Sequence, residues 1–175
     1  MNVSAPLLPF AQDERLLPDY FLPACRRLLR DGYELLPVAM DPSDLPALGT
    51  LVKTLGIQEE TLLPQTTGAF LALARSCRAC LATRLHVAVL AACVGVPTAL
   101  VAYRDKAQDF LLTMGAENLG LSMTSDLGDR LQGVAWQVVQ DADELGFHLW
   151  KRAQYWSAQL LAALDELLVR GGLSC

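Results

Sequence analysis

Nineteen consecutive residues, Leu85 to Tyr103, carry no formal charge and lie between Arg84 and Arg104. A run of that length can cross a bilayer as one helix. Gly95 and Pro97 rule this out by cutting the run in two. Before the cut, LHVAVLAACV has the length of a short internal helix. After it, PTALVAY is a continuous apolar stretch, as expected of a parallel strand covered on both faces. A buried helix leading into a buried strand is the repeating unit of an α/β layer fold.

The rest of the chain repeats that alternation. Expected strands are Asn2 to Leu8, Tyr33 to Met40 with Pro37 marking a strand end or edge, a weak one from Glu60 to Pro64, Ala79 to Ala82, Thr98 to Tyr103, and Asn118 to Met123. Expected helices are Pro18 to Arg30, one from Asp44 or Leu45 to Gly56 with Asp44 as N-cap, Gly68 to Ser76 capped by Thr66 or Thr67, Leu85 to Val94, Lys106 to Met114, Asp129 to Gln140, and a long one from Glu144 to Arg170. The fold class that follows is α/β, a doubly wound, Rossmann-like parallel sheet flanked by helices, as a single domain over residues 1–175. On the last helix, Leu149, Ala153, Trp156, Leu160, Ala163, Leu164 and Leu167 form an apolar stripe, read as a core face.

Composition narrows the partners. With 14 Lys+Arg against 19 Asp+Glu, a net charge of −5 and only three lysines, the chain is poorly suited to nucleic acid or an anionic membrane. Five cysteines, Cys25, Cys77, Cys80, Cys93 and Cys175, form no spaced framework, so a reducing, cytoplasmic setting is expected. Cys77 and Cys80 form a CxxC, but the pair follows a helix instead of opening one, and no His stands at ligand spacing. Both are read as small buried residues. The N-terminus lacks a basic region and carries Pro6 and Pro9 within its apolar run, so no signal peptide is expected. No metal or other cofactor is demanded by any His or Asp cluster.

Cys80 to Lys106 is the window that carries chemistry. It reads as strand, tight turn, helix, Gly-x-Pro, strand and charged turn, with Arg84 and His86 where the first strand hands over to the helix. Ligands of open α/β sheets sit outside the carboxyl ends of the strands. A helix N-terminus there offers unpaired N–H groups, and an adjacent Arg adds a planar fork for phosphate or carboxylate. The expected ligand is therefore small and anionic, with His86 placed to move a proton. Asp41 and Asp44 are further candidates for the cleft, with capping the favoured role for Asp44. His148, between Phe147 and Trp150, is read as structural.

The run T-R-L-H-V-A-V-L-A-A-C-V-G-V-P-T-A-L-V-A-Y-R-D-K resembles the hallmark segment of the polysaccharide pyruvyl transferases. In that family an R-L-H precedes a small-residue helix, a G-x-P, a strand ending in Tyr and, three residues on, a Lys. The resemblance covers nearly the whole chain but only the C-terminal, donor-binding half of such enzymes, which are two-domain proteins of GT-B type. It implies transfer of pyruvate from phosphoenolpyruvate onto two hydroxyls of a sugar as a cyclic ketal, with a glycan or lipid-linked sugar as acceptor. The donor residues it implies are Arg84, Leu85 and His86, with Tyr103 ending the second strand and Lys106 beyond it; the chemistry makes His86 the candidate general acid or donor-orienting group. Where the family often has Y-D-P-K, this chain has Tyr103-Arg104-Asp105-Lys106.

Two rival readings accompany this one: half of a GT-B nucleotide-sugar glycosyltransferase or epimerase, and a non-catalytic module that binds a partner. With glycine included, the apolar share reaches about 60%, above the ~45–50% of ordinary domains. The excess predicts an exposed apolar patch where an N-terminal domain or a second copy of the chain would pack.

Overall fold

A computed structural model describes residues 2–4, 20–102 and 105–170, with 2–4 and 168–170 described by backbone alone. The elements are β1 (Asn2–Ser4), α1 (Leu22–Arg30), β2 (Glu34–Leu36), a 3₁₀ turn (Pro42–Asp44), α2 (Leu45–Leu55), α3 (Thr67–Arg75), β3 (Cys77–Ala82), α4 (Leu85–Cys93), β4 (Thr98–Val101), α5 (Asp105–Met114), a second 3₁₀ turn (Glu117–Leu119), β5 (Gly120–Leu121), α6 (Leu127–Gln140) and α7 (Ala142–Arg170). Each has a local cause. Thr66 Oγ1 accepts the Ala69 N–H at 3.1 Å and caps α3, while Gly56, at φ +70°, closes α2 in the left-handed conformation that glycine adopts freely. The first helix starts at Leu22, with Pro23 in its opening turn, where a missing N–H costs nothing.

The strands form one parallel sheet in the order β2-β1-β3-β4-β5. The chain runs from β1 outward to β2, then crosses back to β3, so the order reverses between β1 and β3. Register is set by Val3 opposite Leu35 and Ala79, Leu81 opposite Ala99, and Val101 opposite Leu121. Among the helices, α1 packs on α2 and α6, whereas α3, α5 and α7 gather around α4. The sheet is thus covered on both sides, and the expected doubly wound α/β fold is the one observed. β3 and β4 need that cover: Ala79, Leu81, Ala99, Leu100 and Val101 are fully buried.

Some expected elements are shorter. Pro37 ends β2 after Leu36, because it cannot donate to the ladder. The weak strand at Glu60–Pro64 is a single parallel bridge between Val38 and Leu62. The strand expected from Asn118 begins as a 3₁₀ turn and keeps only Gly120 and Leu121, where an added Cβ on Gly120 would lie 2.5 Å from Leu111. The remainder of the first strand, Pro18 and the Tyr103 end of β4 lie outside the described residues. Cys77 and Cys80 are buried on β3, as read, and no disulfide joins the described cysteines.

The long helix requires a correction. Leu149 is buried and Ala153 half-buried, but Trp156, Leu160, Leu164 and Leu167 are exposed, Leu160 and Leu167 at 63% and 65%. The stripe is a core face only over its first two turns. Beyond that, the helix outruns the body that its N-terminal part packs against. The body ends where Arg152 and Trp156 donate to the Thr113 carbonyl at the end of α5. The exposed apolar surface expected from composition is therefore present, and it lies on this helix.

Candidate functional site

In open α/β sheets ligands bind at the carboxyl ends of the strands that flank a reversal of strand order, and here the reversal falls between β1 and β3. Two described loops lie at this end, one after β2 and one after β3. The β3 loop is short: Thr83 is buried, Arg84 is extended at φ −90° and ψ 122°, and α4 starts at Leu85. Arg84 is the N-cap of α4 and makes no side-chain cap bond, and the first turn of α4 contains no acidic residue. The positive end of that helix is therefore not offset by a carboxylate of its own. His86 stands in the first turn and is exposed, while Leu85 is half-buried against the core.

The β2 loop supplies what the sequence reading missed. Asp44 is fully buried and receives both arms of the Arg84 fork, Nε to Oδ2 at 2.9 Å and Nη2 to Oδ1 at 2.6 Å. Its Oδ2 also accepts the backbone N–H groups of Met40 at 3.1 Å and Asp41 at 3.2 Å. Asp44 is the N-cap residue of α2, as expected, but its side chain makes no bond to that helix. Its backbone bonds instead close a capping box around the 3₁₀ turn, with Asp41 Oδ1 accepting the Ser43 N–H at 2.9 Å. A carboxylate removed from water needs this many donors to stay charged. Ser43 and, more weakly, Arg84 hold the exposed Asp41 carboxyl below its ordinary value of 3.8.

Asp44 uses the Nε–Nη2 edge of the guanidinium, and among the described residues no hydrogen bond is made by Nη1. The Arg84 side chain is 21% exposed. In sheet order the clasp joins the loops on either side of β1. Lys106 stands exposed in the first turn of α5, at the same end of the sheet, after β4. Tyr103 lies outside the described residues. His148 is away from this end: its Nε2 meets the Met114 carbonyl at 2.9 Å, the structural role expected of it.

No group of three or more His, Cys, Asp or Glu side chains among the described residues is arranged to hold a metal ion. A hollow of about 530 Å³ opens at the opposite, amino end of the strands, lined in part by Arg75, Arg78, Gly95 and Asp143. One of its two arginines is already used. Arg78 donates through Nε to the Val139 carbonyl at 2.8 Å and pairs with Asp143, closing the C-terminus of α6. The chemistry therefore favours the carboxyl end, where a guanidinium edge and a helix N-terminus converge. No protein-family model matches the chain, and no curated protein matches it either.

Proposed function

We propose that this chain is the donor-binding domain of a transferase that moves pyruvate from phosphoenolpyruvate onto a sugar of a cell-surface polysaccharide. The observation that carries the reading is Arg84, held by buried Asp44 at the N-terminus of α4, partly exposed and with Nη1 unbonded among the described residues. The R-L-H resemblance falls on the same three residues, Arg84, Leu85 and His86. Phosphoenolpyruvate offers a phosphate and a carboxylate, which suit a guanidinium edge and helix N–H groups. Lys106 supplies a second cation at the same end of the sheet.

The reaction needs a proton delivered to the vinyl methylene of the donor. That step makes the adjacent carbon electrophilic; one sugar hydroxyl adds, phosphate leaves with its oxygen, and the second hydroxyl closes the ketal. His86, exposed in the first turn of α4, is the group assigned to deliver the proton. Leu85 anchors that turn in the core and so fixes where its N–H groups point. The acceptor sugar is held by another part of the enzyme, an N-terminal domain or a second copy of this chain.

Calorimetric titration with phosphoenolpyruvate tests the reading. The unaltered chain is expected to bind, and Arg84→Lys, which keeps the charge and loses the fork, to bind at least tenfold more weakly. Equal affinities would overturn it. A preference for nucleoside-diphosphate sugars over phosphoenolpyruvate would favour a glycosyltransferase instead.

A further inference from the structure

Asp44 does more than satisfy buried donors. We infer that it is a positioning residue: by clasping one edge of Arg84 it fixes the direction of the other, and makes the site selective for an anion whose oxygens match that direction. This rests on the donor reading above.

The argument is electrostatic. A free arginine at a helix N-terminus attracts any anion by its net charge. Here the Asp44 carboxylate, 2.6 Å and 2.9 Å from two guanidinium nitrogens, cancels that charge at close range. What survives is directional, a small number of N–H groups pointing from a side chain whose rotamer is set by two bonds. Asp44 is itself held in place, since the backbone N–H groups of Met40 and Asp41, just before the 3₁₀ turn, both bond its Oδ2. An anion gains from this arrangement only where its oxygens fall on the remaining donors. Asp41, exposed and also within reach of the Arg84 charge, adds to the negative field that repels poorly fitting anions.

The consequence separates a positioning role from a merely structural one. Asp44→Asn keeps the volume and an acceptor oxygen, but removes the carboxylate charge and half of the fork's partner. Loss of a negative charge beside Arg84 must help any anion bound by charge alone. Loss of orientation must harm one bound by direction. In Asp44→Asn, binding of inorganic phosphate is therefore expected to hold or tighten while phosphoenolpyruvate weakens, lowering the ratio of the two affinities at least tenfold. Arg84→Lys approaches the clasp from its other side and is expected to lower the same ratio.

Both ligands are titrated into the unaltered chain and both variants, with circular dichroism confirming the fold. Should Asp44→Asn fail to fold, Arg84→Lys reads the same ratio. In folded Asp44→Asn, a ratio that does not fall, whether because both affinities drop together or because neither moves, overturns the positioning role and leaves the donor reading standing. In Arg84→Lys, both affinities dropping together does the same, whereas an unchanged phosphoenolpyruvate affinity overturns the donor reading as well. Absence of phosphoenolpyruvate binding to the unaltered chain overturns both.

Discussion

Asp44 and Arg84 show how much can rest on one pair of side chains. Removing Arg84 as Ala would leave a fully buried carboxylate with only two backbone donors. That loss is expected to cost about 2–4 kcal/mol, somewhat below the range for wholly buried pairs because Arg84 is partly solvated; chemical denaturation measures it. Asp41 gives a pH prediction. Its carboxyl is held below 3.8 in the folded chain, so the stability it adds is complete above the unfolded value and is lost as pH falls through the folded one. Asp41→Asn should therefore lower the melting temperature near pH 7, by an amount that shrinks as the pH falls below the unfolded value. The thiols separate in the same way: burial pushes Cys25 up to about 12, and Cys77 and Cys80 are also buried, whereas Cys93 is exposed. Thiol labelling of the native chain should reach Cys93 first of these four, with Cys25 reacting only on unfolding. The sequence showed that Arg84 sits at a strand end. It could not show a partner forty residues earlier, because no local pattern encodes that approach.

Among the elements, α7 has two unlike halves. Its start is pinned where Gly146 meets the turn between α4 and β4: a Cβ added there would lie 2.1 Å from the Gly95 carbonyl oxygen. Gly95 in turn needs its positive φ of +74° to make that turn. Gly146→Ala must push the helix off the turn and is expected to cost about 1–3 kcal/mol, read as a lowered unfolding midpoint. The far half is bare, with Leu160, Leu161, Leu164 and Leu167 all at least 46% exposed. Leu160→Glu with Leu164→Glu should reduce the binding of a hydrophobic dye and leave the near-ultraviolet circular dichroism of the body unchanged. Periodicity revealed the stripe but not its fate. An apolar face has the same spacing whether it meets the protein's own core or continues past it.

On the scale of the whole molecule, one core joins both layers through β3 and β4. Leu81, fully buried at the centre of the sheet, lines a small hollow together with Cys25 of α1 and Leu48 and Leu51 of α2. Leu81→Ala is expected to destabilise the chain by about 2–5 kcal/mol, with the backbone and aromatic signals still lost together on denaturation. Exposed apolar surface gathers on α7, while Arg84, His86 and Lys106 stand at the carboxyl end of the sheet. On the proposed reading, ligand and packing partner would use different surfaces.

The sequence by itself determined the fold class, the nature and approximate bounds of most elements, and the turn at Thr83–His86. Each of these depends on near neighbours: apolar runs of strand length, helical spacing, and the glycines and prolines that interrupt them. Only the tertiary structure decided that the Asp44 side chain clasps Arg84 instead of bonding to α2, that Gly146 lies against Gly95, and that half of the α7 stripe has no core beneath it. Those outcomes depend on which surfaces meet once the sheet is assembled, and the strand order that brings the loops after β2 and β3 together around β1 is not written in any one segment.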